Sequence, residues 1–76
     1  MSEKLPRVTA SDLIRVLKKI GFIEDRSKGS HKIFIHPSKH LRAVIPFHKG
    51  RNLAIGTLKS ILDDAEISVE QLRELL

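Results

Sequence analysis

The sequence contains no cysteine, no tryptophan and no tyrosine, and only three phenylalanines. Without cysteine there are no disulfides, no thiolate metal ligands and no cysteine nucleophile, a composition that fits a reducing compartment. A cytoplasmic location is therefore expected. Three rings leave little aromatic area beyond what a small core needs, which argues against the ring-covered surface of an RRM. No apolar run approaches the roughly 20 residues that cross a bilayer, and residues 1–10 lack the apolar segment of a secretory signal. We expect a soluble protein with no membrane association. With 76 residues there is room for one domain, residues 1–76. A domain this small buries only about 60% of the surface its unfolded chain exposes, so no deep substrate cavity is expected.

Acidic residues are also missing from one long stretch. Between positions 26 and 62 there is no Asp or Glu, while the same window holds Arg26, Lys28, Lys32, Lys39, Arg42, Lys49, Arg51 and Lys59 and all four histidines, His31, His36, His40 and His48. Beyond it the sign inverts, with Asp63, Asp64, Glu66, Glu70 and Glu74 against Arg73. A middle of one sign suits a polyanion, and nucleic acid is the leading candidate because cations that neutralise phosphates release condensed counterions. The plainer alternative is a solvated basic face.

Apolar spacing supplies the scaffold. Thr9 followed by Asp12 resembles a capping box, and Leu13, Ile14, Leu17 and Ile20 then recur at helical spacing, predicting a helix over 10–20 stopped at Gly21. Runs rich in Ile, Val and Phe predict strands over 22–26, 31–36 and 42–47, separated by turn residues. A second helix is predicted over 54–65, and Ser68 with Gln71 marks the start of a short third one. The class is α+β: helix, three-stranded antiparallel sheet, helix, short helix. The simplest packing puts both main helices on one sheet face and leaves the other open. Residues 1–8 are expected to form a loose N-terminal arm. Alternation in the middle strand groups His31 with Ile33 and Ile35, and Lys32 with Phe34 and His36. It leaves open whether His31 points outward or sits beyond the strand's end.

The residues carry a family resemblance. Gly29-Ser30-His31 with an aromatic at Phe34, then His36-Pro37, then Ile45-Pro46-Phe47-His48-Lys49-Gly50, then Gly56-Thr57-Leu58 with Ile61-Leu62, resemble in this order and spacing the HicA family of toxin ribonucleases. The likeness runs from the first helix through Ser68. Gly-Ser-His alone is common; the combination is far more specific. The resemblance implies a double-stranded-RNA-binding-domain-like fold, cleavage of messenger RNA leading to growth arrest, a functional histidine at His31, and neutralisation by an antitoxin of the HicB type.

RNA carries its own nucleophile, the 2′-hydroxyl. Cleavage needs removal of that proton, stabilisation of a crowded phosphate and protonation of the departing 5′-oxygen. An imidazole with an ordinary pKa near 6.5 suits proton removal at neutral pH, which makes His31 the candidate base. Lys28 and Lys32 are its closest cations in sequence, amides near Gly29 and Ser30 offer donors to a phosphate oxygen, and Lys49 and Arg51 are further candidate phosphate contacts. The acid stays open among His48, His36, His40, a lysine and water, with His48 favoured because it lies in the second motif. Neither cofactor nor metal is expected. The histidines have no nearby Cys, Asp or Glu, and a basic surrounding opposes a cation. Phe34 reads as core, and His36 and His40 as loop residues around Pro37-Ser38-Lys39. A non-catalytic double-stranded RNA-binding module is the alternative function. A DNA-binding helix-turn-helix is disfavoured by the three strands between the main helices.

Overall fold

The first helix, α1 (Ala10–Lys19), begins at a reciprocal cap in the computed structural model, which describes residues 4–76. The Asp12 backbone N–H donates to the Thr9 hydroxyl and the Thr9 N–H donates to the Asp12 carboxylate, both at 3.1 Å. Two N–H groups that would otherwise lack partners are thus satisfied. The Thr9 N–H is the main reason the Asp12 carboxyl sits below the usual carboxylate range, with Arg15 adding to the effect. Residues 1–3 of the expected arm lie outside the described residues. Of the rest, the Lys4 carbonyl accepts from the Arg73 guanidinium, Leu5 packs against the core, and Val8 is buried with its carbonyl accepting from the Leu53 N–H at 2.8 Å.

Gly21 ends α1 with a φ of +103°, a conformation that L side chains rarely adopt, and the chain turns into Phe22. Three antiparallel strands follow in the order β1 (Ile23–Lys28), β2 (His31–His36) and β3 (Leu41–Pro46). The β1 strand starts one residue later than its composition predicts and runs to Lys28, because Phe22 is drawn into the core ahead of it. The register slips between Glu24 and Arg26, leaving Asp25 as an extra residue. All six β1 residues are exposed, and four of them are charged, so bulge and charges together blunt this edge against further pairing.

The remaining helices are α2 (Ile55–Ala65) and α3 (Val69–Leu75), the latter capped by the Ser68 hydroxyl accepting from Gln71 N–H at 3.1 Å. One core joins all the layers. Phe34, Ala43 and Ile45 project from the sheet onto Leu13, Val16 and Leu17 of α1, Leu58, Ile61 and Leu62 of α2, and Leu72 of α3. The Lys19 ammonium donates to the Leu75 carbonyl at 2.8 Å, fastening α1 to α3. The helices therefore cover one sheet face, as the sequence predicts. No helix among the described residues is long and apolar enough to cross a membrane.

His36 corrects its assignment as a loop residue. It is the last residue of β2, half-buried, with both ring nitrogens engaged. Nε2 faces the Ile20 carbonyl at 3.0 Å, and Nδ1 accepts from the Lys39 N–H at 3.2 Å. A carbonyl only accepts, so in this arrangement Nε2 is the donor and Nδ1 the acceptor. The ring also meets Phe22 edge-on at 5.2 Å. A Cβ at Gly21 would lie 2.8 Å from Nε2, so glycine is required here for space as well as for φ.

Two outcomes test these contacts. Because folding lowers the Asp12 pKa, the cap stabilises above the unfolded value of 3.8 and loses its contribution as pH falls through the folded value. Thermal melts from pH 7 to 2 should show this part of the acid sensitivity absent in Asp12→Asn, while Thr9→Ala costs about 1 kcal/mol at neutral pH. Gly21→Ala should cost on the order of 1–3 kcal/mol in urea unfolding, since it combines strained backbone with a displaced imidazole. An unchanged midpoint would show that the α1–β2 junction yields freely.

Candidate nucleic-acid site

Lys28 and His31 close a hairpin with only Gly29 and Ser30 between them. Gly29 has a φ of +60° and Ser30 a negative one, the combination that suits a right-twisted hairpin with glycine in the first central position. The turn thus fixes Lys28 directly across from His31. On the other side, His31 pairs with Pro46. The Phe47 N–H donates to the Ser30 carbonyl at 2.6 Å, which makes Ser30 and Phe47 a hydrogen-bonded pair. Antiparallel pairs alternate, so His31 and Pro46 form the neighbouring non-hydrogen-bonded pair, whose side chains approach most closely. Proline fits there without loss, because an N–H at that position would point away from the sheet.

This bond has a second consequence. It joins the Gly-Ser-His turn to the start of the segment that carries the second motif. Just beyond, the Arg51 N–H donates to the His48 carbonyl at 3.2 Å, closing a turn with Gly50 in its third position at φ +77°. His48, Lys49 and Arg51 are all exposed on that turn. A groove of about 340 Å³ lies against it, lined by Pro46, His48, Arg51, Asn52, Ala54 and Thr57 among others. Pro46 is shared between this lining and the His31 pair. The α2 helix starts at the groove with Ala54 as its cap, which offers no side-chain acceptor, and its first turn has no acidic residue. Its unsatisfied N–H groups and positive dipole end are therefore available to an anion.

The expected site residues divide in two. Lys28, Gly29, Ser30 and His31 form one unit at the turn, exposed throughout. The His31 ring has no hydrogen bond or ion pair among the described residues, so both nitrogens are free for a ligand. Lys32, although next to His31 in sequence, does not join that unit. Alternation sends it to the helix-covered side, where its ammonium sits 4.6 Å from the centre of the Phe47 ring. It is held toward the 47–51 segment rather than beside the His31 ring. Phe34 is fully buried, as its expected core role requires. His40 occupies an exposed turn with φ +56°. Among the described residues, no three His, Asp or Glu side chains gather as a metal-holding group. Sequence reasoning missed the α2 start as an anion-facing element, although the absence of acids around Ala54 and Gly56 was visible.

The family model described as the HicA toxin of bacterial toxin–antitoxin systems matches residues 10–67, and the chain belongs to that family. The match takes in α1, the whole sheet and α2, including both motif segments, and ends ahead of α3. No curated protein matches the chain.

The two histidines of β2 should behave oppositely on substitution. His31→Ala removes an exposed ring with no partner and should leave stability within about 0.5 kcal/mol. His36→Ala removes a ring bonded at both nitrogens and should cost on the order of 1–3 kcal/mol. Equilibrium urea unfolding of the two variants distinguishes them, and equal losses would contradict the structural role given to His36.

Proposed function

We propose that this toxin is an endoribonuclease that cleaves messenger RNA without a metal ion, with His31 as general base. The observation that carries the reading is the exposed, unpartnered His31 opposite Lys28, at the end of the sheet joined by one backbone bond to the cationic 47–51 segment. The His31 imidazole takes the proton from a 2′-hydroxyl, the freed oxygen attacks the adjacent phosphorus, and the bond from phosphorus to the 5′-oxygen breaks. The leaving oxygen takes a proton from His48 or from water. The products carry a 2′,3′-cyclic phosphate and a 5′-hydroxyl.

Charge development on the phosphate is met by Lys28 and by the amides of the Gly29–Ser30 turn, since fixed donors cost no reorganisation during reaction. Lys49 and Arg51 hold flanking phosphates, and Lys32 takes part from the Phe47 side. A double-stranded-RNA-binding-domain-like layout suits recognition through phosphates and 2′-hydroxyls rather than base edges. Toxin–antitoxin membership implies an antitoxin partner, and we take it to be of the HicB type, acting with the toxin in the cytoplasm. Free toxin then arrests growth through loss of messenger RNA.

Cleavage of a long messenger RNA in EDTA is the direct test. One positioned base supplies about 10² to 10⁴ in rate, so His31→Ala should lose at least about 10² in single-turnover rate and should no longer arrest growth. End analysis should find cyclic phosphates. Lys28→Ala and Arg51→Ala should each lower the salt dependence of RNA binding by roughly one unit of slope. Full activity in His31→Ala, or 5′-phosphate ends, would overturn the mechanism, and salt-sensitive binding with no cleavage by either protein would leave a binding module.

A further inference from the structure

The groove beside the 46–48 segment has the build of a small binding site. Its volume of about 340 Å³ lies at the lower end of the roughly 300–1,000 Å³ typical of ligand pockets. Pro46, Leu53 and Ala54 supply apolar walls, and His48, Asn52 and Thr57 add three polar side chains. None of the three has a hydrogen-bond or ion-pair partner among the described residues, and Thr57 is half-buried. Asn52 is nevertheless fixed through its backbone, which bridges to Thr9, while the next N–H, that of Leu53, donates to the Val8 carbonyl. Arg51 brings a positive charge, and no described carboxylate lines the groove. Apolar walls, unpaired donors and acceptors and a cation together suit a heterocycle that carries a phosphate.

Position narrows the choice. Pro46 belongs to the groove and also pairs with His31, so the groove opens one strand spacing, about 4.8 Å, from the backbone of His31. A nucleotide adjoining the one that His31 deprotonates reaches that far. The reaction also makes a base available. A 2′-oxygen must attack from the side opposite the departing 5′-oxygen, and the rate depends on that alignment. A stacked A-form helix holds the 2′-oxygen off this line, so the strand unstacks where it is cut. Unstacked bases are what proteins read in single-stranded RNA, through their faces and hydrogen-bonding edges.

We propose that the groove is a base pocket, which takes the nucleobase on the 3′ side of the cut and makes the toxin selective for it. Asn52 and Thr57 read the edge of that base, and Pro46 packs against its face. The polarity follows from His48, which lines the groove and serves the departing 5′-oxygen in the proposed reaction. The nucleotide that keeps this oxygen is the one on the 3′ side. Polarity therefore rests on the ribonuclease reading, whereas occupancy of the groove by a base does not.

Two measurements test this. Isotope-labelled His31→Ala chain is titrated with single-stranded RNA tetramers that differ in one base. Shifts should concentrate at the Asn52 side-chain amide and at Leu53, Ala54 and Thr57, and one base should bind best. Wild type, Asn52→Ala and Asn52→Asp are then given a pool of unstructured RNA of randomised sequence, and the bases beside the cuts are counted. Wild type should favour one base 3′ of the cut at least about tenfold, the discrimination of one good bidentate contact. Asn52→Ala should lose most of that preference and keep the wild-type melting temperature, because the side chain has no partner in the fold. Asn52→Asp offers only acceptors and should raise the share of guanine, whose N1–H and N2–H₂ donors lie side by side. Cuts with no base preference at that position, a preference that survives Asn52→Ala, or RNA shifts that miss the groove would each overturn the proposal. The titration does not score cleavage. An inactive wild type whose groove still takes RNA would sink the ribonuclease reading and leave the pocket standing.

Discussion

A chain of this length can cover one face of a three-stranded sheet and no more. The helices supply Leu13, Val16, Leu17, Leu58, Ile61 and Leu62 to a single core against Phe34, Ala43 and Ile45, and α3 adds only Leu72. Each fully buried Leu or Phe contributes roughly 1.5–3 kcal/mol, and backbone ordering offsets most of the total in a domain so small. The large apolar side chains left exposed among the described residues, Ile23, Val44, Ile55 and Leu76, are too few to hold a second layer. The open face is thus a consequence of size, and its composition had to be settled by something other than core packing.

Electrostatics settles it. Five of the nine acids follow position 62, in and around α2 and α3, while seven of the fourteen Lys and Arg occupy the strands and the loops beside them. Ion pairs among the described residues are few and largely solvent-exposed, such as Lys59 with Asp63 one helical turn apart. Exposed pairs of this kind contribute little to stability. Most of the cations around the Gly-Ser-His turn and the 47–51 segment are therefore uncompensated, and the self-repulsion this causes is relieved when an anionic partner binds.

Much of this order was legible before any coordinates, for physical reasons. Local signals survived because their partners lie within a turn of the chain: Thr9 with Asp12, Ser68 with Gln71, and the glycine that ends α1. The strand His31–His36 was bounded by turn residues on both sides and matched. What failed involves partners distant in sequence. The function of the His36 ring depends on the Ile20 carbonyl and the Lys39 N–H, which only the folded chain brings to it. The bulge at Asp25 shifts the β1 register by one residue and carries pairing on to Lys28, and nothing in the composition of that strand signals it. Strand alternation already places Lys32 on the face opposite His31, and what the sequence does not show is its seat against the Phe47 ring.

The same local character bears on how the candidate site is held. His31 is positioned by a two-residue turn, by pairing with Lys28 and Pro46, and by the Phe47–Ser30 bond, and none of these draws on the buried core. A site anchored through the backbone at the end of a sheet keeps its geometry while its side chains stay exposed, which suits the large substrate of the proposed reaction. It also leaves the site on the boundary between the basic turns and the open sheet face. The small core that prevents a second layer thereby leaves the sheet face and the basic turn at its end exposed side by side.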